Sequence, residues 1–362
     1  MNLKFYKMIA ELKSLTRMTM LGAVVMLSSC GGKTGNETAI RTIKLSECQV
    51  KEFTWESRLG NDARIIELAD TSKEYSFTEI SKLVLKDDKL YISDWITRRI
   101  ITFDMNGNPV SVLNRRGRGP EEYLRITDFD VDDRGGVWLL DGQQDVVKHY
   151  ASDGRFLSQA KTGDCQYSNL LFNDGYLYLG VSYWDKTDNK DCKVVKADTS
   201  LNIVSRYGKM PETVDPDFTY PSRGFSYVNG EILYNNPIDD YVVVLDSDGY
   251  KGDVFFDFGS KSVPDEIRKA IEPHLKDMPD YTFLVNCIGV SGDIVVGTLR
   301  EGDGYVDFLL DEKNKTIYKH SLDATSLRLA ALSDSKIVLT GLSADSERTV
   351  IVVVPFDNIK NS

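Results

Sequence analysis

The densest chemical signal in the chain is Arg115-Arg116-Gly117-Arg118-Gly119-Pro120-Glu121-Glu122-Tyr123, where three guanidinium groups stand among glycines. Arginine forks bind carboxylate, sulfate or phosphate through paired hydrogen bonds, and glycine lets a backbone approach such a group. Arg115, Arg116 and Arg118 are therefore candidate anion ligands, with Tyr123 beside them. The same stretch has a structural use, in which Tyr123 packs beneath the loop and Glu122 pairs with an arginine to lock adjacent elements. A second set is aromatic. Trp95, Tyr183, Trp184 and Tyr220 fall in segments rich in turn residues. Such rings stack on sugars, anchor a protein partner, or pack against neighbouring sheets. Trp138 lies inside an apolar run and reads as core.

Catalytic patterns are sparse. The histidines are His149, His274 and His320, two in strand-like segments and one beside a helix-like segment, so a three-histidine zinc site has no local pattern behind it. No HExxH, GxSxG or phosphate-loop motif appears. Asp104, Asp198, Asp246 and Asp311 each precede a turn, where a carboxylate either bonds its own turn or joins a ring of calcium ligands. Asp128, Asp130 and Asn286 could be metal ligands on inner strands, or hydrogen-bond partners between sheets. The residues point to binding without catalysis, with no cofactor and no metal. A metal-dependent hydrolase or lyase at a central channel is the alternative.

The elements that must position these residues repeat. Leu83–Asn114 and Phe129–Gln159 share one order: apolar strand, tight polar turn, β-branched strand, loop, strand, tight turn. An all-strand period of roughly 40 to 50 residues predicts a β-propeller, whose small sheets bury their faces only by stacking around an axis. Second strands are predicted at Leu90–Ser93, Val137–Leu140, Tyr176–Leu179, Glu231–Tyr234, Ile294–Gly297 and Lys336–Thr340. Third strands follow at Arg99–Phe103, Val146–Tyr150, Lys193–Lys196, Tyr241–Leu245, Val306–Leu310 and Thr349–Val354. The fold class is thus all-β: a six-bladed propeller of four-stranded antiparallel blades. Its last repeat runs out near Pro355, so Ile40–Leu45 or Ile65–Leu68 is expected to supply the missing strand and remove an open edge.

Turns between first and second strands and between third and fourth strands are short. The long connections fall at the other two joints, which open on one side of a propeller: Trp95–Arg98, Asn114–Thr127, Ser182–Cys192, Lys209–Gly224, Gly259–Tyr281 and Arg300–Gly304. Loops concentrated on one side mark it as the binding side. One insertion reads as helical, from Pro264 through Asp265–Ile271 with Pro273 ending it.

Gly117–Tyr123, together with Phe129–Leu140 and the surrounding repeats, resembles the G-x-G-P-x-E-Y signature of the six-bladed β-propeller lipoproteins of Bacteroidetes, with NHL-like or TolB-like repeats. The resemblance covers residues 40–357 and implies the fold rather than a ligand.

Residues 1–29 read as a signal peptide: Lys4, Lys7, Lys13 and Arg17, then the apolar Met18–Leu27, then Ser28-Ser29 before Cys30. This resembles a bacterial lipobox, which implies cleavage before Cys30 and acylation of its thiol. Ten apolar residues are too few to cross a bilayer, which takes about 20. Residues 30–39 form a polar tether, and residues 40–362 the propeller. Gly31 after the cysteine resembles the outer-membrane sorting pattern, and the lack of an acidic run there favours the periplasmic side. Loss of four basic residues and one acidic residue with the leader takes the net charge from −11 to −14. An acidic chain without a basic stripe gains nothing from counterion release, so nucleic acid is not an expected partner. The expected partners are the membrane, through the lipid, and an envelope protein or a glycan-uptake complex. Cys48, Cys165, Cys192 and Cys287 have irregular spacing that favours free thiols.

Overall fold

A computed structural model of the chain describes residues 40–69, 73–218, 224–291, 293–333, 335–343 and 348–360. The leader, Cys30, the tether and Tyr220 lie outside the described residues.

Strand pairing gives six sheets of four antiparallel strands, two of them extended by a fifth, parallel strand. Blade 1 is Lys82–Lys86, Lys89–Asp94, Arg99–Asp104 and Pro109–Leu113. Blade 2 is Asp128–Val131, Val137–Asp141, Val146–Tyr150 and Phe156–Lys161. Blade 3 runs from Tyr167–Asn173 to Ile203–Lys209, blade 4 from Phe225–Val228 to Gly249–Asp257, and blade 5 from Thr282–Ser291 to Thr316–Ser321. Blade 6 takes Arg328–Ser333, Lys336–Leu342 and Thr349–Pro355 from the C-terminal end. All the expected second and third strands are present.

The packing explains why these strands read so clearly. Side chains alternate across a strand, and here each face meets a different neighbour. Leu90 and Ile92 pack with Val338 and Ile351 of blade 6, whereas Tyr91 packs with Phe129 and Leu139 of blade 2. A strand buried on both faces is a continuous apolar run, as in Val137-Trp138-Leu139-Leu140. Equivalent layers join blades 2 and 3, 3 and 4, 4 and 5, and 5 and 6.

Ring closure uses the second of the two expected segments. Arg64–Glu67 is the outer strand of blade 6, antiparallel to Thr349–Pro355 with Ile66 opposite Ile351. Ile40–Lys44 has another role: it runs parallel to the outer strand of blade 4, and Gln49–Glu52 runs parallel to that of blade 5. The N-terminal chain is a strap that covers two outer edges before closing the third. Trp55, fully buried, fastens it by donating Nε1–H to Asp307 Oδ2 at 2.9 Å.

Inner strands face a complementary problem, because the amides on their open edge have no strand partner. Side-chain oxygens of the preceding blade accept from them: Asp128 from Leu170 N and Asp130 from Phe172 N, both at 2.8 Å; Asp240 from Leu284 N and Asn235 from Cys287 N, both at 2.9 Å; and Asp307 from Leu329 N at 2.6 Å. Buried amides are thereby satisfied where a ladder cannot continue.

Two expectations change. Arg300–Gly304 is not an elaborated loop, since pairing continues to Glu301 opposite Gly304 and leaves a two-residue turn with Gly302 at φ 57°. The insertion after blade 4 is helical only over Asp265–Arg268, with 3-10 turns at Gly259–Lys261, Glu272–His274 and Met278–Asp280. It packs Val263, Ile267, Ile271 and Met278 onto Ile238, Phe283 and Val285, and so rests on blades 4 and 5. A further short helix, Phe356–Lys360, follows blade 6.

The closing strand gives a paired test. Ile66 is 2% exposed and Ile65 is 65% exposed. Ile66→Ala is expected to lower unfolding free energy by about 2–4 kcal/mol, and Ile65→Ala to change it by less than about 0.5 kcal/mol, as read by urea denaturation. Equal effects would mean that the strand does not close the ring in this register.

Candidate functional site

Connectivity places the long joints on one side of the disc. Three buried aspartates at or just beyond the ends of second strands organise that side. Asp94 accepts Thr78 N at 2.7 Å and Ile96 N at 2.8 Å; Asp141 accepts Leu124 N at 2.7 Å and Gln143 N at 3.0 Å; Asp185 accepts Gln166 N at 2.6 Å and Thr187 N at 2.8 Å. In each case one oxygen holds the connection that enters the blade and the other holds the blade's own second-to-third turn. These positioning residues escape a reading centred on third-strand aspartates. The available signal was an aspartate closing an apolar second strand twice, in Ser93-Asp94 and Leu140-Asp141; Asp185 lies in the loop beyond its strand.

The arginine–glycine connection lies along the rim between blades 1 and 2. Arg115 is committed to the fold: Nε donates to Gly154 O at 2.7 Å and Nη1 meets Glu121 Oε2 at 3.1 Å. The expected pairing of Glu122 with an arginine is therefore made by Glu121. Glu122 instead accepts the Gly119 amide at 2.7 Å, and a Cβ on Gly117 would collide with that carboxylate. Tyr123 is fully buried, with its hydroxyl 2.8 Å from Arg98 O and 3.0 Å from Leu113 O. Burial pushes that hydroxyl well above the ordinary tyrosine range. Tyr150 donates to Glu121 O at 2.9 Å, and Lys148 to Pro120 O at 3.0 Å. Arg116 and Arg118 differ from Arg115: both are exposed, and their guanidinium groups have no partner among the described residues.

Trp95 and Trp184, each 41% exposed, sit in the second-to-third joints of blades 1 and 3, on the long-loop side. Tyr183 is half-buried in the layer between blades 2 and 3, its hydroxyl 3.4 Å from Asp239 Oδ2. Of the seven candidate side chains, Arg116, Arg118, Trp95 and Trp184 remain available to a ligand. Arg115, Tyr123 and Tyr183 hold the loops that present them.

The axis is narrow. A cavity of about 100 Å³ is bounded by inner strands, with Lys82, Lys86, Asp130 and Asn173 on its wall. Lys82 Nζ pairs with Asp128 at 2.7 Å and Lys86 with Asp133 at 2.6 Å. Asp128 and Asp130 thus have the blade-to-blade role. Among the described residues no group of three or more His, Cys, Asp or Glu could hold a metal ion. The histidines stand apart: His149 bonds Asp132 at 2.8 Å and stacks on Trp138, His274 meets Asp277 at 3.0 Å, and His320 lies between the carbonyls of Phe53 and Leu327. The third-strand aspartates bond their own turns, as Asp104 does with Asn106 N and Asn108 N and Asp198 with Ser200 N and Asn202 N. Cys48, Cys165, Cys192 and Cys287 are free, and burial pushes the Cys287 thiol up to about 12.

Blades, strap and one-sided loops define a six-bladed β-propeller. Residues 41–361 match the model of the family described as a domain of unknown function, DUF4934, and the chain belongs to that family. A protein of Bacteroides fragilis NCTC 9343 assigned as exported has a similar solved structure, with a TM-score of 0.69 at 17% identity over 87% of this chain and 99% of that one. A DUF4221 family member from Bacteroides vulgatus ATCC 8482 gives a TM-score of 0.52 at 10% identity, covering 81% of this chain and 96% of that one. At these identities the likeness is one of fold. No curated protein matches the sequence. Among the described residues no helix is long and apolar enough to cross a membrane.

The axis carries a pH signature. Asp130 is half-buried, and loss of hydration pushes its pKa up to about 6 against the opposing pull of Lys82. A folded-state value raised above the unfolded one means that the proton binds the folded form more tightly. Its stabilising contribution is present below the ordinary carboxylate range and is lost as pH rises to about 6. Asp130→Asn is therefore expected to gain stability relative to the parent between pH 4 and pH 7, as read by thermal melts. A constant difference across that range would refute the assignment.

Proposed function

We propose that this chain is a lipid-anchored envelope protein, held at Cys30 on the periplasmic side of the outer membrane, whose propeller binds a partner protein or glycan-like ligand on its long-loop side without catalysing a reaction. The lipobox-like Leu27-Ser28-Ser29-Cys30 supports the anchor, and the resemblance to propeller lipoproteins with NHL-like repeats supports the placement. The exported Bacteroides fragilis protein of the same fold is consistent with it. A partner within a glycan-uptake complex fits this location.

One observation carries the binding reading: buried side chains fix the long connections, while Arg116, Arg118, Trp95 and Trp184 are left projecting from them. Folding alone does not explain unpaired arginines on a loop already locked by Arg115 and Tyr123. Ordered loops on a rigid scaffold, with exposed aromatic and guanidinium groups, suit recognition.

Two experiments test this reading. Cys30→Ser is expected to abolish palmitate labelling and move the protein from the membrane fraction to the soluble fraction; a labelled, membrane-bound variant would remove the anchor from the proposal. Alanine at Arg116, Arg118, Trp95 and Trp184 together is expected to weaken capture of the native ligand from envelope extracts, while the Arg116/Arg118 pair alone leaves the thermal midpoint unchanged. Undiminished capture by the fourfold variant would end the binding-side assignment.

A further inference from the structure

Around the arginine–glycine connection the negative groups and Arg115 are consumed, whereas Arg118 and Lys148 have no carboxylate bonded to them. Glu121 holds Arg115, Glu122 holds the Gly119 amide, and Asp141 holds the amides of Leu124, Gln143 and Gln144. Arg118 has no partner among the described residues. Lys148, on the third strand of blade 2, is 1% exposed, yet the bonds of its Nζ run to neutral oxygens: Pro120 O at 3.0 Å and Gln159 Oε1 at 2.7 Å. An ammonium has three donors, so one N–H remains. The Phe156 ring, with its centroid 5.7 Å away, adds only a weak cation–π contact. A buried cation with no carboxylate in hydrogen-bond contact is costly, and burial lowers the Lys148 pKa against the opposing pull of the Asp141 charge.

Arg118 and Lys148 line the same cleft, a space of about 400 Å³ between the connection and the outer part of blade 2, with Pro120, Gln144, Val146 and Gln159 on its walls. Its volume falls within the range of small-ligand sites, roughly 300–1,000 Å³, and it is a shallow depression open to solvent. Two cations call for an oxyanion, and a carboxylate accepts from both in charge-assisted bonds. Gln159 Oε1 accepts from Lys148 and Gln144 Nε2 lies 3.5 Å from Gly117 O, which leaves the Gln159 amide nitrogen and the Gln144 amide oxygen to meet adjacent hydroxyl groups, and the exposed Pro120 offers an apolar surface to the C–H face of a pyranose. A carboxylate on a peptide would use the same cations, so the test includes an acidic peptide as the competing ligand.

We propose that this cleft binds a uronate, a pyranose carrying a carboxylate, with the carboxylate between Arg118 and Lys148 and the ring hydroxyls on Gln144 and Gln159. The proposal rests on the ligand-binding reading above and narrows it to acidic saccharides.

Calorimetric titration of the full chain with trigalacturonate tests it, alongside the methyl ester of the same trisaccharide and a hexaglutamate peptide. Trigalacturonate is expected to bind and the ester to bind at least about tenfold more weakly, because a hydrogen bond to a charged group contributes more than one to a neutral group. Arg118→Gln and Lys148→Met are each expected to weaken binding by roughly ten- to a hundredfold, and Lys251→Gln on blade 4 to leave it unchanged. If Lys148→Met does not fold, Arg118→Gln decides, since its side chain is exposed and makes no bond within the fold. A wild-type chain that ignores trigalacturonate, binds the ester equally, or binds hexaglutamate instead overturns the assignment, as does full affinity in Arg118→Gln. If such a protein still loses its envelope ligand in the fourfold alanine variant, only the uronate is lost and the binding reading stands.

Discussion

The structure depends on satisfying the open edge of each inner strand. A ring of separate sheets leaves backbone amides facing the neighbouring blade, where no ladder can form and little water reaches. An unpaired buried amide costs about as much as a lost hydrogen bond, and several in a ring would oppose closure. The chain answers with carboxylates and one carboxamide on the preceding blade: Asp128, Asp130, Asn235, Asp240 and Asp307. These groups are themselves costly to bury, and loss of hydration raises the pKa of Asp130, Asp240 and Asp307. The apolar layers supply the driving force for stacking, but they tolerate sliding. The polar ties fix blades 3, 5 and 6 at one height and one angle relative to the blades that precede them.

The outer edges are handled by a different device, with consequences for the order of assembly. Blades 4, 5 and 6 have their outer edges paired by a single N-terminal strap, and the last of these pairings completes a sheet whose other strands lie near the C-terminus. Ring closure is therefore the contact of greatest sequence separation, and loop-closure entropy makes it the hardest to form early. Trp55 makes that closure specific, because its indole N–H meets Asp307, the carboxylate that also joins blade 5 to blade 6. One buried group thus ties the strap and two blades together.

The blades were legible in the sequence because each second and third strand is buried on both faces, which writes uninterrupted apolar runs between turns. The choice of closing strand was not legible: Ile40–Lys44 and Arg64–Glu67 are both short β-branched segments, and only packing distinguishes Ile66 from Ile43. Arg300–Gly304 misled because Gly302, Asp303 and Gly304 have the composition of a loop, although a two-residue turn needs those same residues. Of the site, the three arginines were legible as a group but not their division, since whether a guanidinium is bonded or free depends on Gly154, a turn of the next blade. Lys148 left a usable trace: a lysine in Val147-Lys148-His149, at the register that Val146 and Tyr150 bury, is a charge in a core position. Lys193 has the same signature and finds Asp239 at 2.8 Å; among the described residues Lys148 makes no hydrogen bond to a carboxylate.

The two sides of the disc also differ in how their turns are held. On the short-turn side, Asp104, Asp198 and Asp246 each fold their own turn through bonds to residues two to four positions on, so every turn is a local unit. On the long-loop side, Asp94, Asp141 and Asp185 hold the chain 15 or more residues away, and each joins an incoming connection to a turn. A local turn can change without disturbing its neighbours, whereas a clamp orders two segments at once and transmits any shift in one to the other. Loops paired this way are ordered before a ligand arrives, so less conformational entropy is lost on binding. Between the clamped ends, the guanidinium groups of Arg116 and Arg118 have no partner among the described residues, which leaves them to the ligand of the proposed binding side.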